Sequence, residues 1–342
     1  MKSEWWNGMF RGVKWCFALP GQILWGMIAL WCGGVFRLCI CEKADLGGGL
    51  ALIYWGCFLL ILWFLPVVFR LLLLPVMILP VIGFFAAISP DPAVQYQTPW
   101  AEQCEIVIDR NRVTIRGIRD FHYRTEQDYD VRYREETFDI NQAETLYLAV
   151  SHWDGLENIA HTMLSFAFRD GKYVTLSVET RVPVGKTQNS LAGLFKQYGL
   201  GMIFGTESDL LKLRSDHRGE VVYLYRTAAT PEQVRNVFLG LASRAQELAE
   251  KPEFYNTLTQ NCTTTLLKPM RPALGALHKD IRLIANGLID HMAYELGYLD
   301  TEGYQIETAK NRYRIPSGIP GEGAEYSRLL RKVMYQEKEQ NP

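Results

Sequence analysis

The stretch His161-Thr162-Met163-Leu164-Ser165-Phe166-Ala167-Phe168-Arg169-Asp170-Gly171-Lys172-Tyr173-Val174-Thr175-Leu176-Ser177-Val178-Glu179-Thr180 reads as a β-hairpin, and the fold class turns on it. Two runs of alternating side chains flank the turn signal Arg169-Asp170-Gly171-Lys172. In the first run Thr162, Leu164, Phe166 and Phe168 share one face, and His161, Met163, Ser165 and Ala167 share the other. In the second, Val174, Leu176 and Val178 form the apolar face; Tyr173, Thr175, Ser177 and Glu179 form the more polar one. Matching the apolar faces pairs Leu164 with Val178 and Phe166 with Leu176, and centres the turn on Gly171. Glu179 then lies opposite Met163 and diagonal to His161, on the same side of the sheet. A strict two-residue turn would set His161 and Glu179 on opposite faces, but it would also mix the apolar faces, the usual cost of a one-residue slip. Glu179 is therefore placed to hold an imidazole at His161. The competing reading is an ordinary amphipathic hairpin that happens to end in histidine.

Working outward, short alternating bursts at 105–108, 113–115, 121–123, 147–150 and 221–225 predict further strands. Helices come later. Thr230-Pro231-Glu232-Gln233 is a capping box with proline at the first helical position, and Val234, Val237, Phe238, Leu241 and Leu248 follow at helical spacing. Further helices are expected from Thr263, over 277–287, 290–296 and 326–335. Segment 185–220 reads as loop around a helical patch at Leu191–Tyr198. Strands early and helices late make the class α+β, an antiparallel sheet with packed helices.

The run Tyr255-Asn256-Thr257-Leu258-Thr259-Gln260-Asn261-Cys262-Thr263-Thr264-Thr265 carries the chemistry. Asn261 is a good N-cap, which puts Cys262 in the first turn of a helix expected to stop near Pro269. Unpaired amides and the helix dipole favour a thiolate there. A nucleophilic thiol needs a base, and the base an orienting group. His217 and His278 lie in charged stretches, His122 alternates on a strand, and His291 starts a helix. His152, in the loop after strand 147–150, is the rival to His161. The candidate catalytic set is Cys262, His161 and Glu179. A Cys104–Cys262 disulfide is the alternative that would remove the nucleophile. Arg119 and Arg181 read either as anion-binding groups or as salt-bridged structural cations.

Before this domain the chain is apolar. Trp15 to Phe36 is long enough to cross a bilayer, and Leu50 to Phe69 and Leu71 to Ile88 form two further runs separated by Arg70. Residues 1–89 therefore read as a transmembrane anchor of two or three spans, 90–335 as the soluble α+β domain, and 336–342 as a disordered tail. Gly47-Gly48-Gly49 reads as an interhelical turn, and Trp5, Trp6 and Trp15 as interfacial side chains. Lys2, Arg11 and Lys14 hold the N-terminus in the cytoplasm. With 50–88 as two spans turning at Arg70, the soluble domain faces outward; as one long bent helix, it faces inward. The two-span reading is favoured, because one helix would far exceed a bilayer core.

The 342 residues carry 36 basic and 37 acidic side chains, so no bulk basic field argues for nucleic acid. Five of seven cysteines lie in or beside the apolar stretches, and no Cys/His spacing suggests a metal or other cofactor.

With His161-Thr162-Met163-Leu164-Ser165-Phe166, Leu176-Ser177-Val178-Glu179-Thr180-Arg181, Arg119-Asp120-Phe121 and Asn261-Cys262-Thr263-Thr264, the chain resembles a bacterial family named for the N-terminal periplasmic domain of Lnb, the lipoprotein N-acyltransferase. The resemblance spans roughly residues 100–310. It implies a membrane-anchored domain facing the periplasm, so the bacterial inner membrane, with a cysteine–histidine pair at Cys262 and His161. The order His then Cys is similar to permuted NlpC-like members of the papain-like fold, in which a helix bearing Cys packs on a sheet bearing His. The expected function is a membrane-anchored, thiol-dependent acyltransferase acting on lipid or lipoprotein acyl groups, with membrane lipid and a lipoprotein or cell-envelope substrate as partners. The alternatives are a cysteine peptidase or amidase of the cell envelope and a non-enzymatic membrane-anchored binding domain.

Overall fold

The structure, a computed structural model, describes residues 19–40, 44–153, 159–274, 282 and 286–336. The chain divides into two units, residues 1–90 with 189–197, and residues 91–188 with 198–342.

The first unit holds α1 (Leu19–Val35), α2 (Ala44–Phe64) and α3 (Val67–Ala87). Three stretches are helical, long and apolar enough to cross a membrane: Gly21–Ile40, Leu46–Phe64 and Val67–Ala87. Cys32, Phe58, Leu74 and Ile78 pack inward, while Leu52, Ile53, Leu59, Val68 and Leu72 face out. The chain reverses at Leu65-Pro66 and not at Arg70. Proline lacks the amide that would continue α2 and restricts the residue before it. Arg70 lies in the first turn of α3, and its Nε donates to the Leu65 carbonyl at 2.6 Å. Gly47, Gly48 and Gly49 are helical residues of α2, not a turn. The expected patch at Leu191–Tyr198 shortens to a single 3₁₀ turn, Ala192–Leu194. Beside it Lys196 Nζ donates to the carbonyls of Phe85 at 2.7 Å and Ile88 at 2.8 Å, where a cation complements the C-terminal end of α3. Trp5, Trp6 and Trp15, and the tail from residue 337, lie outside the described residues.

The second unit is built on an eight-stranded sheet. Its strands are β1 (Glu105–Asp109), β2 (Arg112–Arg119), β5 (Tyr133–Asp139), β6 (Ala143–His152), β7 (Ala160–Phe168), β8 (Tyr173–Arg181), β9 (Gly199–Gly205) and β10 (Val221–Arg226). The order is β1-β2-β9-β8-β7-β6-β10, with β5 also on β2. Every pairing is antiparallel except the single parallel bridge Arg119↔Gly205. The pair β3 (His122–Tyr123) and β4 (Tyr129–Asp130) forms a separate ribbon. After β9 comes the short helix α4 (Glu207–Leu210). The later helices are α5 (Pro231–Glu250), α6 (Cys262–Leu274), α7 (Ile289–Glu295), α8 (Ile306–Tyr313) and α9 (Gly323–Arg331). Among the expected helices, 277–287 falls largely outside the described residues.

Helix α5 begins at the expected capping box and buries Val234, Val237, Phe238, Leu241 and Leu248. The Phe238 ring meets Phe138 on β5, Phe166 and Phe168 on β7 and Phe204 on β9, so three strands are sealed by one aromatic side chain. Helix α6 runs through Pro269 to Leu274, although Pro269 forfeits the bond to the Thr265 carbonyl. It lies close against α5 at Gly240, where a Cβ would meet the Pro269 carbonyl at 3.3 Å. Tertiary packing thus overrides the helix-stop signal.

The hairpin β7–β8 forms in a different register from that expected. Leu164 pairs with Leu176 and Phe166 with Val174, which centres the loop on Asp170 and leaves Gly171 at φ +82°. The shift is two residues along the partner strand, so every side chain keeps its face. Both faces are covered, and all of β7 is buried. The polar residues His161, Ser165, Thr175 and Ser177 are therefore interior. Strand β9 replaces expected loop. Its glycines fall on one face, where a Cβ at Gly201 would meet Arg181 at 2.9 Å and one at Gly205 would meet Leu210 at 2.9 Å. Leu200, Met202 and Phe204 supply the apolar face.

Candidate active site

Cys262 is the first residue of α6. Asn261 caps it: its Oδ1 accepts from the Thr264 amide at 2.9 Å, and its own amide donates to Thr264 Oγ1 at 2.9 Å. Asn261 Nδ2 also donates to the Thr257 carbonyl at 3.1 Å, which ties the approach loop to the helix start. The local arrangement follows from the sequence, because the side chains of Asn261 and Thr264, three residues apart, bond each other's backbone amides before the apolar helix face begins at Leu266.

His161 lies near the start of β7, with Ser151 across from it on β6. In the continued β7–β8 register Glu179 stands directly opposite His161, closer than the expected diagonal position. His161 Nε2 is 3.3 Å from Glu179 Oε1 and 2.6 Å from Ser177 Oγ, and Ser177 Oγ donates to Glu179 Oε1 at 2.6 Å. A hydrogen bond joins the His161 ring to the Cys262 thiol, which is buried with 6% of its surface exposed. With Nε2 engaged by Ser177 and Glu179, Nδ1 is the ring nitrogen left for sulfur. The three residues singled out in the sequence thus converge.

The electrostatics favour a charged pair. Burial works against a thiolate at Cys262, but the hydrogen bond and charge of His161, helped by the Thr162 backbone and Thr263, outweigh it and lower the thiol pKa. Burial would likewise lower His161; the Glu179 carboxylate reverses this and holds the imidazole up at about 9. Burial would raise Glu179, yet His161, Arg214 and Ser177 pull it well below the usual carboxylate range. All three shifts run toward the charged forms: thiolate, imidazolium and carboxylate.

Three partners were not foreseen. Ser177 sits between base and carboxylate, and its place on the polar face of the hairpin was the signal for it. Arg214, in the turn Leu213–His217, donates from Nη2 to Glu179 Oε1 at 3.1 Å and from Nη1 to the Leu210 carbonyl at 3.0 Å. Its Nε is 3.7 Å from Glu220, which accepts a hydrogen bond from Ser151. No local pattern marks Arg214, because the fold brings it from a distant segment. Tyr255 hydrogen-bonds Thr180; burial first, then the charge of Cys262, raises its phenol.

The other histidines are elsewhere. His152 stacks edge-on against Tyr223 with centroids 5.7 Å apart, His122 pairs with Glu322, His217 lies by Tyr123, and His291 meets Lys310 at 2.9 Å. His278 lies outside the described residues. Cys104 and Cys262 are both free thiols, so the disulfide alternative is corrected. Burial raises Cys104 to about 11, and its Sγ donates to the Gly117 carbonyl at 3.3 Å. Arg119 and Arg181 are structural cations. Arg119 is buried against Asp209 at 2.7 Å, and Arg181 donates to the Trp100 and Ala101 carbonyls at 2.8 Å with its guanidinium 3.9 Å above the Tyr96 ring. Among the described residues no His, Cys, Asp and Glu group is arranged to hold a metal ion.

Residues 129–287 match the family model of the Lnb N-terminal periplasmic domain. The matched segment contains His161, Glu179 and Cys262, and it is shorter at both ends than the 100–310 of the motif resemblance. No curated protein and no solved structure matches the chain. A periplasmic domain family and three helices long and apolar enough for a bilayer together support a membrane protein with a periplasmic domain.

Proposed function

Starting from the match of residues 129–287 to the Lnb N-terminal periplasmic domain, we propose that the chain is a membrane-anchored, thiol-dependent acyltransferase of the bacterial inner membrane. The observation that carries the reading is the buried row Cys262–His161–Glu179, whose charges are poised for nucleophilic attack. Membrane lipid supplies the acyl group, and a lipoprotein or other cell-envelope amine accepts it.

In this reading the Cys262 thiolate attacks an ester carbonyl. Negative charge develops on the carbonyl oxygen beside the first-turn amides of α6. The carbon–oxygen bond breaks as the His161 imidazolium gives its proton to the departing alkoxide, which leaves a thioester on Cys262 and a neutral imidazole. The acceptor amine then attacks the thioester, His161 takes its proton, and the thiolate departs. Glu179, held by Ser177 and Arg214, keeps the imidazole oriented throughout. Three spans place the soluble part outside when the basic N-terminus stays in the cytoplasm.

Mass spectrometry of the full chain after incubation with phospholipid vesicles tests the reading. An acyl adduct on the Cys262 peptide, absent in Cys262→Ala, is the expected result. Cleavage of a muropeptide with no adduct from lipid would replace it with the hydrolase alternative. Full function in cells for both Cys262→Ala and His161→Ala would leave the non-enzymatic binding domain.

A further inference from the structure

A cavity of about 380 Å³, within the range of small-molecule sites, is lined by Thr263, the residue after Cys262. Its walls are mostly apolar, with Leu266, Met270, Met292 and Leu299 prominent among them. Two hydroxyls of its lining lie close to Cys262. Thr263 Oγ1 is 3.9 Å from Cys262 Sγ and 3.2 Å from Thr162 Oγ1, and both threonines line the cavity. From Thr263 the lining continues along α6 through Leu266 and Leu267 to Met270. At the helical rise this is roughly 10 Å leading away from the thiol. Thr162 lies on the opposite face of β7 from His161, so the cavity and the Glu179–Arg214 network occupy different sides of the sheet.

We infer that this cavity receives an unbranched aliphatic chain, the tail of the acyl group that becomes attached to Cys262. The inference rests on the proposed nucleophilic role of Cys262 and adds where the chain goes and which substrates are refused. The Thr162–Thr263 pair is the polar part of the lining closest to Cys262, and most of the remaining wall is apolar. A peptide or muramyl group threaded there would leave amide N–H and C=O groups with few partners, which is costly. A hydrocarbon chain loses nothing and gains by leaving water.

Alkyl methanethiosulfonates of increasing length test this on the full chain in detergent. The thiolate attacks the sulfenyl sulfur, the sulfur–sulfur bond to the sulfonyl group breaks, and methanesulfinate leaves, so Cys262 carries the alkyl chain as a mixed disulfide. Each buried methylene is worth roughly a fourfold preference when fully desolvated. The octyl reagent should therefore label Cys262 at least about tenfold faster than the methyl reagent. Ala293→Phe and Ala229→Phe, which add a ring at the cavity wall, should abolish that advantage and leave methyl labelling unchanged. The octyl-labelled native chain should also melt higher than the methyl-labelled one, a readout that needs no variant. Equal octyl and methyl rates, or an octyl advantage that survives both substitutions, would overturn the inference and assign the cavity to the chain's own side chains or to detergent. Failure of the methyl reagent to label Cys262 at neutral pH would instead remove the nucleophile, and the inference with it.

Discussion

Glu179 Oε1 lies 3.3 Å from His161 Nε2, and Ser177 Oγ hydrogen-bonds both atoms. The carboxylate therefore acts on the imidazole by charge and through a bridging hydroxyl, and the histidine acts in turn on Cys262. Most of the expected behaviour of the site follows from that relay.

Alkylation of Cys262 should respond to pH in two ways. The lowered thiol pKa predicts reaction with iodoacetamide below the ordinary thiol midpoint near pH 8.5. In His161→Ala the midpoint should rise above that of free cysteine, because burial then acts unopposed. A native midpoint at or above 8.5 would argue against activation.

Turnover should fall on the alkaline side as the imidazolium loses its proton near pH 9. Glu179→Gln should move that limb to lower pH, since the carboxylate is what holds His161 up. The same shift has a stability consequence. A group whose folded pKa is raised stabilises fully below its unfolded value, about 6.5 for histidine, and that stabilisation fades as pH rises through about 9. Thermal melts of the native chain and His161→Gln between pH 6 and 10 should converge at the alkaline end.

Replacing His161 with alanine should reduce adduct turnover by about 100- to 10,000-fold, the usual range for loss of a general acid–base. Ser177→Ala should cost less, because the direct contact between His161 and Glu179 remains. Single-turnover rates of acyl-adduct formation would rank the variants, and an equal loss for both would assign Ser177 a larger part than the geometry gives it.

Arg214 holds Glu179 from the far side, with 4% of its side chain exposed. Arg214→Gln should leave the buried Glu179 with only His161 and Ser177 as partners and destabilise the domain, by less than the roughly 3–5 kcal/mol of a fully unpaired buried charge. Arg214→Lys keeps the charge but loses the fork that reaches both Glu179 and the Leu210 carbonyl. The expected outcome is a partly restored melting temperature with a changed pH profile of Cys262 labelling. An unaltered profile in a folded Arg214→Lys protein would show that Arg214 serves packing alone.

Arg331 of α9 makes a paired contact with Glu207, which also accepts from Ser165, and stacks 4.3 Å from the Tyr147 centroid. Glu207 is fully buried. Arg331→Met alone should lose about 3–5 kcal/mol, and adding Glu207→Leu should recover much of it, because removing both charges removes the unpaired one. Urea denaturation of the single and double variants checks this. A double variant no more stable than the single would show that the pair is not what secures α9 to the sheet.

Features that depend on neighbouring residues are legible in the amino-acid sequence alone. The capping box at Thr230, the N-cap at Asn261, the apolar runs and the faces of β7 and β8 are all of this kind. Glu179 falls on the His161 face in either register, because a shift of two residues preserves the alternation of side chains. The break between the last two apolar helices falls at Pro66, whose missing amide ends the helix, while the charge of Arg70 is accommodated within the next first turn. Only tertiary structure decided the rest. Strand β9 was hidden because glycine favours loops, and it forms because side chains such as Arg181 and Leu210 occupy the space a Cβ would take. Pro269 stays helical because Gly240 lets α6 lie close to α5. Arg214 reaches Glu179 from 35 residues along the chain, and the cavity lined by Thr263 is bounded by separate strands and helices. Contacts between segments remote in sequence leave no periodic trace, so burial and charge pairing at the site could be read only once the chain had folded.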